Sequence, residues 1–164
     1  MAMAYRNLLV VFLALLASSV TATDYCVYTL YIKTGFLPKS GTDAQISTRF
    51  FDVSGASTTL SNLTTWTAPL MGENYNYFER NNVDTFTGLG ECVKSAICGL
   101  ELSSDGSGAH HGWYSDYVEV AVTSSVPGLS CNSHRFTVNQ WLAKDVYPYQ
   151  LSHIVDDCDY SSSS

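Results

Sequence analysis

The chain has 164 residues, 46% of them hydrophobic, and eight Lys/Arg stand against fifteen Asp/Glu for a formal charge of −7. That balance excludes nucleic acid as an expected partner, because affinity for it comes mainly from cations that neutralise phosphates. It also sets the chain against anionic membranes unless a bound cation bridges the two.

From the N-terminus, Met1 to Asn7 carries one charge, Arg6, and Leu8 to Leu16 is an unbroken apolar run. Small residues from Ala17 to Ala22 follow, with Val20-Thr21-Ala22 as a cleavage site. This is the layout of a signal peptide, and the run is shorter than the ~20 residues that span a bilayer. A leader over 1–22 places the chain in the secretory pathway, secreted or held in the endoplasmic reticulum, and no later run approaches membrane length. An integral membrane protein is therefore not expected. The remainder keeps seven Lys/Arg and all fifteen acids, a charge of −8, and suits one domain over 23–160.

Cys26 to Thr34 alternates β-branched and aromatic residues on two faces and reads as the first strand. Gly35 to Gly41 interrupts it, and Ala44 to Val53 reads as the second. Further strands are expected at Thr58–Leu60, Asn76–Arg80, Val83–Thr87, Ile97–Ser103, Tyr114–Thr123, Arg135–Trp141 and Leu151–Asp156. Short strands at this spacing, without a long 3.6-period segment, predict an all-β sandwich or barrel. The serine tail, 161–164, is expected to be disordered.

Five cysteines in an oxidising compartment read as two disulfides with one left over. Cys92 and Cys98 flank a short loop and are the first pair expected. Cys26 starts the first strand and Cys158 follows the last, so they pair if those strands are antiparallel neighbours, which leaves Cys131 free or bonded between chains. Asn62-Leu63-Thr64 is a sequon and predicts a glycan on Asn62. Trp66 and Leu70 lie in a Pro-containing apolar loop and are candidate lipid contacts, since Trp favours the headgroup zone. Trp113 and Trp141 are expected in the core or along its rim.

No nucleophile elbow, zinc helix, P-loop or dinucleotide fingerprint occurs, so no enzyme is expected. His110 and His111 are adjacent, and strand neighbours point to opposite faces. They read as a turn with one ring packed and one exposed. Cys131 and His134 lack an oxyanion-hole loop and make a poor hydrolase.

Four segments occur in order. They are Tyr28–Gly35 with Gly41-Thr42-Asp43-Ala44; Tyr77-Phe78-Glu79-Arg80 with Asp84-Thr85-Phe86; Ser104–Gly108 with Gly112-Trp113-Tyr114 and Tyr117–Val120; and Phe136 with Asn139–Ala143. Together they resemble the PLAT domain found beside the catalytic domains of lipoxygenases and some lipases, and most closely the free-standing plant PLAT proteins associated with stress responses. Where the family usually has Gly after Glu-Arg, this chain has Asn81, which tolerates a left-handed backbone. The resemblance implies two four-stranded antiparallel sheets packed face to face, with no catalytic domain attached. It implies a lipid- or membrane-associating module that requires no cofactor, with calcium as an optional aid held by the Gly41 carbonyl, Thr42, Asp43 and Asp105, and with Glu73, Asn74 and Asn76 nearby; the other reading of Asp43 and Asp105 is that they serve turns. The alternative is a protein-interaction module that docks through an acidic surface rich in tyrosine.

Overall fold

The computed structural model describes residues 23–66, 70–72, 74–124 and 131–162. The expected leader, Glu73 and the last two serines lie outside the described residues. Among the described residues the strands are β1 (Tyr25–Thr34), β2 (Ile46–Asp52), β3 (Ser57–Leu60), β4 (Val83–Glu91), β5 (Ile97–Ser104), β6 (Trp113–Thr123), β7 (Asn132–Leu142) and β8 (Ser152–Asp156). A single helical turn, α1 (Leu63–Trp66), lies between β3 and β4. The strands form two four-stranded sheets, ordered β4-β1-β6-β7 and β3-β2-β5-β8, with antiparallel pairing throughout. This is the sandwich that the resemblance implied.

Period-two alternation fixes which face goes inward. On β1, Cys26, Tyr28, Leu30, Ile32 and Thr34 are buried while Tyr25, Val27, Thr29, Tyr31 and Lys33 alternate with them on the outer face. Phe50, Phe86, Leu100, Leu102, Trp113, Val120 and Phe136 meet them from the other strands. Each such side chain contributes about 1.5–3 kcal/mol by leaving water, so the two inner faces hold the layers together.

The segment Asn76–Arg80, expected as a strand, is instead a folded loop. Phe78 adopts a left-handed backbone (φ 60°) and drives its ring into the core, 5.3 Å from Trp113 and 5.6 Å from Phe86 between centroids. The buried Asp84 carboxylate accepts the Phe78 N–H at 2.8 Å, and the Phe78 carbonyl accepts the Thr42 N–H at 3.2 Å. A tertiary hydrogen bond overrides the local aromatic pattern. Asn81 takes the left-handed conformation that its place in the motif asks for, with φ 64°.

The same four cysteines bond, but in different pairs from those expected. Cys26 joins Cys92, and Cys98 joins Cys158, while Cys131 is free and exposed. Strand order is the reason. β1 lies beside β4, with Cys26 opposite Gly90 and Cys92 just beyond the strand end. β8 belongs to the other sheet, where it pairs with β5 and brings Cys158 beside Cys98. A bridge from β1 to β8 would have to cross between layers. At the chain's far end Tyr160–Ser162 forms a 3-10 turn with the Ser161 N–H donating to Asp159.

Both bridges lie at one end of the sandwich, with the β2–β3 and β4–β5 connections. At that end Asp52 holds two turns together. Its carboxylate accepts from the Ser54 N–H and Oγ, the Ala56 N–H and the Ser95 Oγ at 2.6–3.1 Å. Burial pushes this carboxyl up, but those donors outweigh burial and hold it below its ordinary range. The unfolded chain then binds more protons than the folded one, so stability from Asp52 is present above the ordinary carboxylate range and is lost as pH falls through its folded value. Asp84 acts oppositely, because burial raises its carboxyl and stability falls as pH rises from the ordinary range to that raised value. Asp52→Asn is therefore expected to lower stability at pH 7 and to flatten the acid limb of a urea-midpoint profile between pH 2 and 5. An unchanged acid limb would show that Asp52 does not carry that sensitivity.

Candidate functional site

The end opposite the bridges gathers residues 35–45, 74–82, 105–112 and 143–151. Gly41 passes directly under the Phe78–Arg80 backbone, and a Cβ there would meet the Phe78 carbonyl oxygen and the Arg80 nitrogen at 3.1 Å. The site therefore needs glycine for close approach. Thr42 is buried; its Oγ1 donates to the His110 carbonyl at 2.7 Å and accepts the Ala44 N–H at 3.0 Å. The Asp43 carboxylate faces His110, 3.0 Å from Nδ1 and 3.3 Å from the backbone N–H. Asp105 accepts the Gln45 and Ser107 N–H groups at 3.0 and 2.9 Å. Ser107, through its backbone and then its hydroxyl, holds the Asp105 carboxyl below the usual range.

These four residues do not fit a calcium ion as one set. Calcium needs six to eight oxygens that converge on one point. Here the Thr42 hydroxyl is committed inward, Asp43 already has an imidazole at its carboxylate, and Asp105 turns to backbone amides. Among the described residues no group of three or more His, Cys, Asp or Glu could hold a metal ion.

The adjacent histidines instead join three loops. His110 pairs with Asp43 of the β1–β2 connection, and His111 Nε2 lies 3.4 Å from Asp145 Oδ1 of the β7–β8 connection. Their carboxylate partners belong to different loops, and His110 is the more exposed of the two. Away from this end, His134 pairs with Asp157 at 3.0 Å.

Trp66 is not at a loop tip. It packs partly buried against the core, and its indole N–H donates to the Leu89 carbonyl at 3.1 Å. Leu70 is 54% exposed, while residues 67–69 between them lie outside the described residues. Asn62 caps α1, its carbonyl accepting the Trp66 N–H at 2.9 Å, and its side-chain oxygen accepts from Thr64 Oγ1. Trp113 is fully buried, and its indole N–H donates to Thr34 Oγ1 at 2.9 Å. Trp141 lies on the rim, edge-on to Tyr114 at 5.5 Å.

The residues that sequence reasoning missed are the exposed apolar ones of this end. Phe36 is 69% exposed, Tyr147 78% and Tyr149 65%, with Leu37 and Val146 beside them. Arg80 lies over the Phe36 ring at 5.3 Å. The available signal was an aromatic pair around a proline, Tyr147-Pro148-Tyr149, in a segment that reads as a turn. Among the described residues no helix is long and apolar enough to cross a membrane.

The sandwich is of the kind that lipoxygenases carry. It superposes on coral 8R-lipoxygenase with a TM-score of 0.55 at 23% identity, covering 79% of this chain and 16% of that one. A calcium-dependent 11R-lipoxygenase gives 0.57 at 23% identity, covering 80% and 17%. The likeness is one of fold, and this chain spans about a sixth of those enzymes. The family profile described as Embryo-specific protein 3 (ATS3) matches residues 14–150. PLAT domain-containing protein 1 of Arabidopsis thaliana is 46% identical over 162 residues, covering 95% of this chain and 87% of the relative. PLAT domain-containing protein 3 of the same plant is 47% identical over 106 residues, covering 65% and 100%. The chain belongs to this family of free-standing plant PLAT domain proteins.

Proposed function

We propose that the chain is a non-catalytic module of the secretory pathway that attaches to lipid surfaces through the loop end opposite its bridges. The observation that carries this is that Phe36, Leu37, Val146, Tyr147 and Tyr149 are all exposed on the two loops that border one cleft. Exposed apolar groups of this size, gathered on one end, mark an interaction site. The amphipathic tyrosines suit the headgroup level, where an apolar body and a polar tip are both satisfied. Entry into the secretory pathway rests on the layout of residues 1–22, a glycan at Asn62 on the sequon, and a stress-related role on the resemblance alone. Because the Thr42, Asp43 and Asp105 side chains are already engaged, attachment does not require calcium.

Co-flotation with phospholipid vesicles tests this. The protein is expected to float equally with calcium and with chelator. Phe36→Ser with Tyr147→Ser is expected to cut the bound fraction roughly tenfold or more, since each buried aromatic is worth about 1.5–3 kcal/mol, without moving the unfolding midpoint. Undiminished flotation of that variant would end the proposal.

A specific observation favours a second reading, a docking face for a protein. Tyr25, Val27, Tyr31, Val83 and Leu89 are all exposed and line the outer face of the β1–β4 pair, with Val27 directly opposite Leu89. If no vesicle binds, that face becomes the leading candidate.

A further inference from the structure

Three loops of the aromatic end enclose a cleft of about 430 Å³, lined among others by Lys39, His110, His111, Gly112, Trp141 and Asp145. Its two sides differ in chemistry. On one, the Trp141 ring and the Asp145 carboxylate both border the space that a side chain at Gly112 would enter. A Cβ there would stand 3.9 Å from Trp141 Cζ3 and 3.9 Å from Asp145 Oδ1. An aromatic ring next to a carboxylate attracts an alkylated ammonium, which gains from the ring quadrupole and from the charge. On the other side, Lys39 and His110 also line a neighbouring cleft that includes Arg80, so two side-chain cations, Lys39 and Arg80, stand there. Asp43 and Glu79 share that neighbouring cleft, and His111 faces Asp145 across 3.4 Å.

We propose that this cleft binds the zwitterionic headgroup of a choline-type phospholipid, with the quaternary ammonium against Trp141 and Asp145 and the phosphate toward Lys39 and His110. Neither half of that ligand suits the whole cleft alone. A bare anion meets Asp145, and a bare cation meets Lys39. A headgroup without net charge also escapes the repulsion that an acidic chain exerts on anionic lipid. The cleft is in the right place, because Val146 lines it and adjoins Tyr147 and Tyr149, whose insertion would bring headgroups level with the loops. The inference rests on the lipid reading above and gives it a ligand class.

The test is calorimetric titration of the protein with phosphocholine, and with choline and inorganic phosphate separately, alongside flotation on phosphatidylcholine and on phosphatidylglycerol vesicles. Two substitutions leave the backbone undisturbed. Gly112→Leu fills the cleft, since the nearest atom to a Cβ there is Ala143 Cβ at 3.4 Å, an ordinary contact. Lys39→Asn removes the ammonium while keeping a residue that tolerates φ 62°. Phosphocholine is expected to bind more tightly than either half, and each variant to weaken it about tenfold, one ion pair or one cation–π contact being worth that much. Phosphatidylcholine vesicles should float the protein better than phosphatidylglycerol ones. Equal affinity for phosphate and phosphocholine, unchanged affinity in both variants, or no heat with phosphocholine would each overturn the cleft. If the protein still floats in any of those cases, the lipid reading survives without it; if it does not float, both fall.

Discussion

Replacing Cys26 and Cys92 together by serine is expected to lower the unfolding free energy by about 4 kcal/mol, as judged from the loop the bridge closes. That loop joins residues 66 apart in sequence. The Cys98–Cys158 bridge spans 60 and is expected to give a loss of similar size. The folded chain already holds each pair of strands by hydrogen bonds, so the bridge acts mainly on the unfolded ensemble, which it denies its most extended states. Urea denaturation of the two double variants measures both losses. A digest of the unreduced protein should yield peptides that link Cys26 to Cys92 and Cys98 to Cys158. A Cys92–Cys98 peptide would contradict the strand order as well as the pairing, because those residues are at the ends of strands in different sheets.

Phe78→Ala is expected to cost about 3–5 kcal/mol, the range for removing a buried aromatic that leaves a cavity. Phe78 is 1% exposed and closes the core at the loop end, between Phe86 and Trp113. It also holds a neighbour in place, since its carbonyl accepts from Thr42 and its N–H is anchored on Asp84. The loss should therefore appear as faster amide exchange in residues 40–44 as well as in global stability. Asp84→Ala separates the two roles. It leaves the ring but strips the anchor, and a buried N–H without a partner costs about 1–3 kcal/mol. Stability of Phe78→Ala within ~1 kcal/mol of the parent would mean that the ring is not the closing piece.

The strands were legible in proportion to their alternation. β1 could be read almost residue by residue, because Tyr28, Leu30 and Ile32 go inward while Thr29, Tyr31 and Lys33 point out. Asn76–Arg80 could not, because Tyr77-Phe78 mimics a strand pair and the deciding contact is a carboxylate six residues away. Pairing of the cysteines depends on which strands are neighbours, and nothing local in the sequence says that β1 lies between β4 and β6. The Gly41-Thr42-Asp43 segment was legible as a place, but not in the partners its side chains take. Its side chains are spent on His110 and Ala44, partners that only the folded chain supplies. Phe36 and Tyr147 were overlooked for a related reason, since the same residue types fill the core and only the fold reveals which of them remain outside.

Both bridges, the start of β1 and the end of β8 lie at the same pole of the sandwich. A tag, reporter or neighbouring domain attached at either terminus of the described chain would therefore project away from the pole that carries Phe36, Trp141 and Tyr147. Coupled to a sensor chip through its C-terminal side, the protein would hold that pole outward, toward whatever flows past.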